Sequence, residues 1–290
     1  MQKLYVVAVS GGVDSVVLLD MLVTRGNSQL IVAHFDHGIR QDSRTDREFV
    51  QELAYKYGLQ FVFDEGKLGP GASEATARDA RYNFLRKVKD ASGAVAIVTA
   101  HHEDDLLETA IINLIRGTGR KGISSLKSTD EIQRPLLNIP KSEIKKYAQE
   151  HGLKWHEDST NNDNKYLRNH VRHNIMPKFN NDSRRRLREY IDIARLTNDE
   201  LDSLLVRQLA GQPATNVLDR KWFANLSHAV SREVIAAWLR SNGITGFDRK
   251  TIERIVISAK TFASGKRIDV DARYNIEVRK DILALVPRER

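Results

Sequence analysis

Short apolar runs alternate with longer amphipathic ones through the first half of the chain. Residues 4–9, 30–34, 61–63 and 94–100 are brief, apolar and carry β-branched side chains, which predicts strands, and 133–137 is the candidate for a last one. Residues 15–22, 43–57, 74–89, 104–115 and 141–151 carry apolar positions at helical spacing. Strand–helix alternation at this spacing predicts right-handed crossovers and an α/β fold: a parallel, doubly wound sheet covered by helices on both faces. Ligands of such sheets lie beyond the carboxyl ends of the strands.

The pattern changes after about residue 165. Charged helical segments follow at 165–172, 184–197, 199–209 and 228–241, then strand-like alternation at 266–270, 276–278 and 283–286. This predicts a second, mostly helical domain ending in a small β-hairpin. The polar stretch 177–183 places the boundary, giving domains 1–178 and 179–290.

The 290 residues are 41% hydrophobic, enough for a real core and against disorder. No run is long enough to cross a bilayer and no signal-like segment opens the chain, so the expected location is cytoplasmic. The chain has no cysteine, which removes thiolate catalysis, disulfides, zinc–cysteine sites and iron–sulfur clusters. The net charge of +8 suits a polyanionic partner if the charge clusters.

Four stretches carry the chemistry. Ser10, Gly11, Gly12, Val13, Asp14 and Ser15 join the first strand to the first helix. A glycine turn there aims backbone N–H groups and a helix N-terminus at one spot, which suits phosphate. No Gly-Lys-Ser/Thr follows, so it is not a Walker A loop. Asp14 among phosphates calls for Mg²⁺, or else it is a simple helix cap. Thr99–Thr109 leaves a second buried strand on the same sheet edge and holds His101, His102, Asp104 and Asp105. The His-Glu-x-x-His zinc signature fails at Leu106, leaving Mg²⁺ ligation or acid–base work by Asp104 or Asp105. Arg78 and Arg81 share a helix face, either to grip phosphate or to form a solvated face paired with Glu74. A basic stretch holds Arg168, Arg172, Arg184 and Arg185, a pattern that meets a nucleic-acid backbone. His37 and Arg40 follow another strand to the same rim, and Arg116 opens a Gly-Thr-Gly loop.

Together the strings SGGVDS (10–15), HFDHGIR (34–40), ARDARY (77–82), TAHHEDDLLET (99–109), RGTG (116–119), RPLL (134–137) and DSTNNDNKYLRN (158–169) resemble the tRNA(Ile)-lysidine synthetase family of PP-loop ATP pyrophosphatases. Two positions depart from its pattern: Leu106, where glutamine is frequent, and Thr160, where serine is usual. By this reading the chain lacks the extra C-terminal domain of longer members, which leaves open how a methionine tRNA with the same anticodon is rejected.

The resemblance implies a two-step ligation. AMP passes from ATP to O2 of the wobble cytidine of a tRNA(Ile) with a CAU anticodon, and the ε-amine of free L-lysine then displaces AMP. It implies ATP and Mg²⁺ as cofactors, residues 10–15 with His101 and His102 as the nucleotide site, and Asp14 and Asp104 toward the metal. Asp105 is the expected base, with Asp14, Arg78 and Arg81 completing the catalytic set. His37, Arg40, Arg116, Arg168, Arg172, Arg184 and Arg185 are the expected tRNA contacts. No membrane partner is implied, and the oligomeric state stays open, a homodimer included. The alternatives are a PP-loop tRNA thiolase, which the missing cysteines oppose, a small-molecule amidating ligase, and an inactive RNA-binding protein.

Overall fold

The computed structural model describes residues 2–38, 43–66, 69, 73–156 and 167–288. It divides into two units, Met1–Arg116 with Ser125–Arg188, and Gly117–Ser124 with Glu189–Arg290.

The first unit is built on five parallel strands: β1 (Lys3–Ala8), β2 (Ser28–Asp36), β3 (Gln60–Glu65), β4 (Ala96–Val98) and β5 (Ile132–Gln133), in the order β3-β2-β1-β4-β5. Its helices are α1 (Val13–Arg25), α2 (Ser43–Lys56), α3 (Glu74–Ser92), α4 (Glu103–Ile115), α6 (Lys141–Glu150) and α7 (Leu167–His170). The central strand alternates between two cores. Val7, Val32 and Val98 face α1 and α6, where Val16, Leu19, Ile144 and Ala148 are buried. Val6, Ala33 and Ile97 face α3, with Tyr82, Phe84 and Leu85. Burial on both faces is why these strands read as continuous apolar runs.

The strand expected at 133–137 pairs only through Ile132–Gln133. Pro135 has no N–H to give a ladder, so the chain turns there while Leu136 and Leu137 stay buried. The sheet order reverses at β1, whose neighbours are β2 and β4. The turns leaving β1 and β4 therefore straddle the switch point, where such sheets bind ligands.

The second unit contains α5 (Arg120–Ile123), most of the long helix α8 (Asn181–Ala210), α9 (Arg220–Asn225), α10 (His228–Ser241) and α11 (Arg249–Thr261). Its sheet is antiparallel, in the order β6 (Val217–Asp219), β9 (Ile282–Pro287), β8 (Tyr274–Val278), β7 (Arg267–Asp269). The expected hairpin is β8–β9, extended by a strand on each side. Trp238, Phe223, Leu218, Ile255 and Ile276 fill its core. α11, which the periodicity reading leaves unassigned, is capped by Asp248 and buries Ile252, Ile255, Val256 and Ala259.

The division between units falls after Arg188, inside α8, rather than in the polar stretch ahead of it, and Gly117–Ser124 belongs with the second unit. The cause is polar. Arg120 donates to Glu233 (2.8 Å), Asn198 Oδ1 (2.7 Å) and Asp202 (2.7 Å), while Asn198 Nδ2 donates to the Arg120 carbonyl and to Ser124 Oγ.

Candidate active site

The glycine turn between β1 and α1 is held from inside. Ser15 Oγ donates to the Gly12 carbonyl (2.9 Å) and lies 3.2 Å from both the N–H and the hydroxyl of Ser10. Gly11 has φ +93°, a left-handed conformation that suits glycine, with Phe49 and Val50 packed alongside. Gly12 caps α1 without a side chain, so no side chain closes the first turn of the helix against an incoming anion. Val13 is buried and seats that turn. His34 Nδ1 donates to the Val9 carbonyl (2.9 Å), and the His156 N–H donates to the Gly11 carbonyl (3.0 Å).

The turn after β4 brings the second set to the same edge. Thr99 Oγ1 holds His101 Nδ1 at 2.8 Å. The His102 N–H donates to Asp105 (3.1 Å) at the start of α4. His102 Nε2 lies 3.7 Å from an Asp14 oxygen and 3.5 Å from an Asp105 oxygen. Carboxylates from two different turns thus meet at one imidazole. Burial pushes His101 down to about pKa 3, helped by Arg134, Arg81 and Arg78 and opposed by Asp105, so the ring is neutral at physiological pH. Burial would raise Asp105, but His102, His101 and Arg168 outweigh it and hold the carboxyl below its usual range.

Two participants escape the sequence reading. Lys141 Nζ hydrogen-bonds both carboxylate oxygens of Asp14 from the first turn of α6. The available signal was a cation directly after Pro140 at a helix start, against the helix dipole. Arg134, at the end of β5, is only 9% exposed, and among the described residues its Nε has no hydrogen-bond partner. Arg81 Nε and the Tyr82 hydroxyl are likewise buried without hydrogen-bond partners among the described residues. Arg78 and Arg81 both lie over the Tyr82 ring, at 4.9 and 5.4 Å. Burial, and the charge of Arg78, lower the pKa of both Arg81 and Arg134, although the Tyr82 hydroxyl raises it. The arrangement gathers three guanidinium groups around one buried phenol. The Glu74 side chain, considered as a partner for Arg78, lies outside the described residues.

Most basic residues expected on RNA face carboxylates of their own unit. Arg172 makes a bidentate pair with Glu108 (2.8 and 3.0 Å) and lies 3.6 Å from Asp105. Arg168 reaches Glu108 at 3.7 Å and donates to Thr109. Arg184 holds Asp104 at 3.1 Å, and Arg185 holds Asp182 at 2.5 Å. Arg116 is exposed at the end of α4. His37 packs edge-on against Phe35. Arg40 lies outside the described residues, as do Thr160 and most of the 158–169 string. Leu106 is buried on the inner face of α4, where an apolar side chain is at home.

For a divalent cation, Asp14 and Asp105 are the convergent carboxylates, while Asp104 is turned to Arg184. Among the described residues no three His, Asp or Glu side chains form a ready-made metal cage. One or two carboxylates plus phosphate oxygens are what Mg²⁺ ordinarily uses, so the donor set fits a cation arriving with a nucleotide.

A PP-loop domain model matches residues 1–179. A protein of Solibacter usitatus named tRNA(Ile)-lysidine synthase is 34% identical over 287 residues, covering 93% of this chain and 65% of that one. A Thermotoga protein of the same name is 42% identical over 183 residues, 59% of this chain and 44% of its own length. The chain thus spans between two fifths and two thirds of these relatives. Among solved structures, the U34-tRNA thiolase NcsA of Methanococcus maripaludis superposes with a TM-score of 0.57 at 21% identity, over 67% of this chain and 73% of that one, a likeness of fold. With its glycine turn, its sheet order and the match across residues 1–179, the chain belongs to the PP-loop domain family.

Proposed function

We propose that this protein ligates lysine to the wobble cytidine of a tRNA(Ile) with a CAU anticodon, using ATP and forming lysidine. The observation that carries the reading is the meeting of Asp14, His102, Asp105 and Lys141 where the turns after β1 and β4 come together, in a chain whose relatives bear the name tRNA(Ile)-lysidine synthase.

In the first half-reaction the cytidine O2 attacks the α-phosphorus of ATP. The P–O bond to pyrophosphate breaks, and the base becomes an activated O2-adenylate. The turn at residues 9–12 and the open first turn of α1 receive the departing pyrophosphate charge. Lys141 neutralises Asp14, so that the carboxylate does not repel the phosphates. Arg78, Arg81 and Arg134 supply positive potential on the side of His101, where charge builds on the transferred phosphoryl group. Asp14 and Asp105 would hold Mg²⁺, which supplies further charge neutralisation on the phosphates.

In the second half-reaction the ε-amine attacks C2, the C2–O bond to AMP breaks, and one proton leaves the nitrogen. Asp105 receives that proton. A carboxylate held this acidic is a weak base, so transfer accompanies C–N bond formation rather than preceding it. The target base has to leave its stack, which suits an anticodon loop. His37, Arg40 and Arg116 remain as RNA contacts of the first unit. In this reading Arg168, Arg172 and Arg184 brace Glu108 and Asp104 as well as adding positive potential. The thiolase alternative has a fold neighbour in its favour, but that neighbour is described with a [4Fe-4S] cluster and this chain has no cysteine.

The test is incorporation of labelled lysine into a CAU-anticodon tRNA(Ile) transcript with ATP and Mg²⁺, beside a transcript carrying uridine at the wobble position. Label in the first alone supports the reading. Pyrophosphate release without label moves the chemistry to another acceptor, and neither signal brings the inactive RNA-binding alternative forward.

A further inference from the structure

One peptide of the glycine turn is held from outside it. Upstream, the Val9 N–H is fixed on the Ala33 carbonyl (3.0 Å), and downstream the Gly12 carbonyl accepts from Ser15 (3.1 Å) and Val16 (3.1 Å) in the first turn of α1. Between them, the Gly11 carbonyl accepts from the distant His156 N–H (3.0 Å). The Gly11–Gly12 peptide is trans and planar, so its C=O and N–H point in opposite directions. Holding the carbonyl on His156 therefore aims the Gly12 N–H the other way. Its contact with Ser10 Oγ there is a long 3.5 Å, which leaves the donor available to an anion. Glycines flank this peptide on both sides, and no Cβ opposes its rotation. A flipped peptide would present a carbonyl dipole to phosphate in place of the N–H.

The support of His156 comes from α2. Trp155 packs against the core beneath α1 and α6 and seats the chain next to it. The His156 ring stacks on Phe49 (centroids 4.4 Å apart, planes at 26°), and its Nδ1 donates to Asp46 Oδ1 (2.7 Å). Asp46 and Phe49 stand three apart on one face of α2. The Phe49 ring also lies 3.5 Å from where a Cβ on Gly11 would sit, so α2 reaches the turn both through that ring and through the Asp46–His156 pair. The side chains of His156 and Asp46 are 37% and 30% exposed. An ion pair this exposed adds little to global stability. Its consequence is local, because it tethers the one residue whose N–H fixes the Gly11 carbonyl.

We propose that Asp46 and His156 are positioning residues for the pyrophosphate end of the nucleotide, holding the Gly11–Gly12 peptide so that its N–H and not its carbonyl meets phosphate. Neither side chain touches the reacting atoms. This rests on the reading of the glycine turn as the phosphate site, and it is independent of which acceptor receives the adenylate.

The test measures binding of pyrophosphate, ATP and AMP to the full chain by titration calorimetry with Mg²⁺ present, without tRNA or lysine. His156→Phe keeps a ring on Phe49 and keeps the backbone N–H, but cannot bond Asp46. Asp46→Ala breaks the same pair from the other side, and melting curves check that both fold. The expected result is a Kd about tenfold weaker for pyrophosphate and for ATP in each variant, with AMP unchanged. The double variant is expected to lose no more than either single one, since the two residues act as a pair. Asp46→Asn, whose amide oxygen can still accept from Nδ1, is expected to recover part of the loss. Unchanged pyrophosphate affinity in the folded variants overturns the positioning role and leaves the nucleotide site standing. Equal weakening of AMP overturns it too, by showing a general loosening of the site. No recovery in Asp46→Asn gives the effect to the charge of Asp46 and overturns the hydrogen-bonded pair. A wild type that binds neither pyrophosphate nor ATP overturns both this proposal and the phosphate reading beneath it.

Discussion

Lys141 and Asp14 lie 127 positions apart in the chain, yet the lysine ammonium hydrogen-bonds both oxygens of that carboxylate. The pair ties the first turn of α6 to the first turn of α1. Replacing Lys141 with Met leaves Asp14 without its ammonium partner beside the glycine turn. The expected outcome is a fall in kcat/KM for pyrophosphate release of about 10²–10³-fold. Asp14→Asn together with Lys141→Met is expected to lose less than the two single losses combined, since the residues act as a pair. Additive losses in that double-mutant cycle would refute the coupling.

Glu108 is 2% exposed and accepts two hydrogen bonds from Arg172, with Arg168 close by. Arg172→Ala strands a buried carboxylate, at an expected cost of about 3 kcal/mol in urea unfolding. Arg172→Lys keeps charge but loses the two-pronged geometry and is expected to recover only part of it. Full recovery by lysine would show that charge alone matters there.

Gly11→Ala meets no hard clash, since the new Cβ would sit 3.5 Å from Phe49 and Val50. Its left-handed φ of +93° is the difficulty, worth about 1–3 kcal/mol. The turn is expected to relax, lowering the melting temperature by several degrees and slowing pyrophosphate release. A variant with wild-type melting and turnover would mean the turn adapts freely.

Stability should depend on pH in a definite direction. Burial lowers the pKa of both His34 and His101, the latter to about 3. Below their ordinary value of 6.5 the unfolded chain takes up protons that the folded chain refuses, so stability falls as pH drops from 6.5 toward 3. The Asp105 carboxyl, also held low, adds a further loss below its ordinary value of 3.8. Melting temperature against pH is expected to slope upward between pH 4 and 6.5, and His101→Gln to flatten part of that slope. A flat profile in the wild type would contradict the burial of these rings.

The sheet and its two chemical turns were readable because their signals are local. Val6, Val7 and Val98 announce buried strands, and the small residues at 10–12 and the histidines at 101–102 sit directly after them. What escaped depends on distant partners. Lys141 and Arg134 look like ordinary surface cations until the fold brings Asp14 and Tyr82 to them. Asn198 reads as a break between two helices, yet α8 runs through it. Asn198 is buried there because the Arg120 carbonyl and Ser124 Oγ satisfy its amide. The arginines at 168, 172 and 184 were legible as charge, but not as the partners of Glu108 and Asp104.

The excursion at Gly117–Ser124 has a consequence for anyone who would trim or recombine this protein. Because Arg120 finds its acids at Asp202 and Glu233, the two units are joined by three passages of the chain instead of one. A cut after Arg188 would not free an intact first unit, for it would leave the Arg120 guanidinium without the acids that hold it. The unit to engineer is the pair.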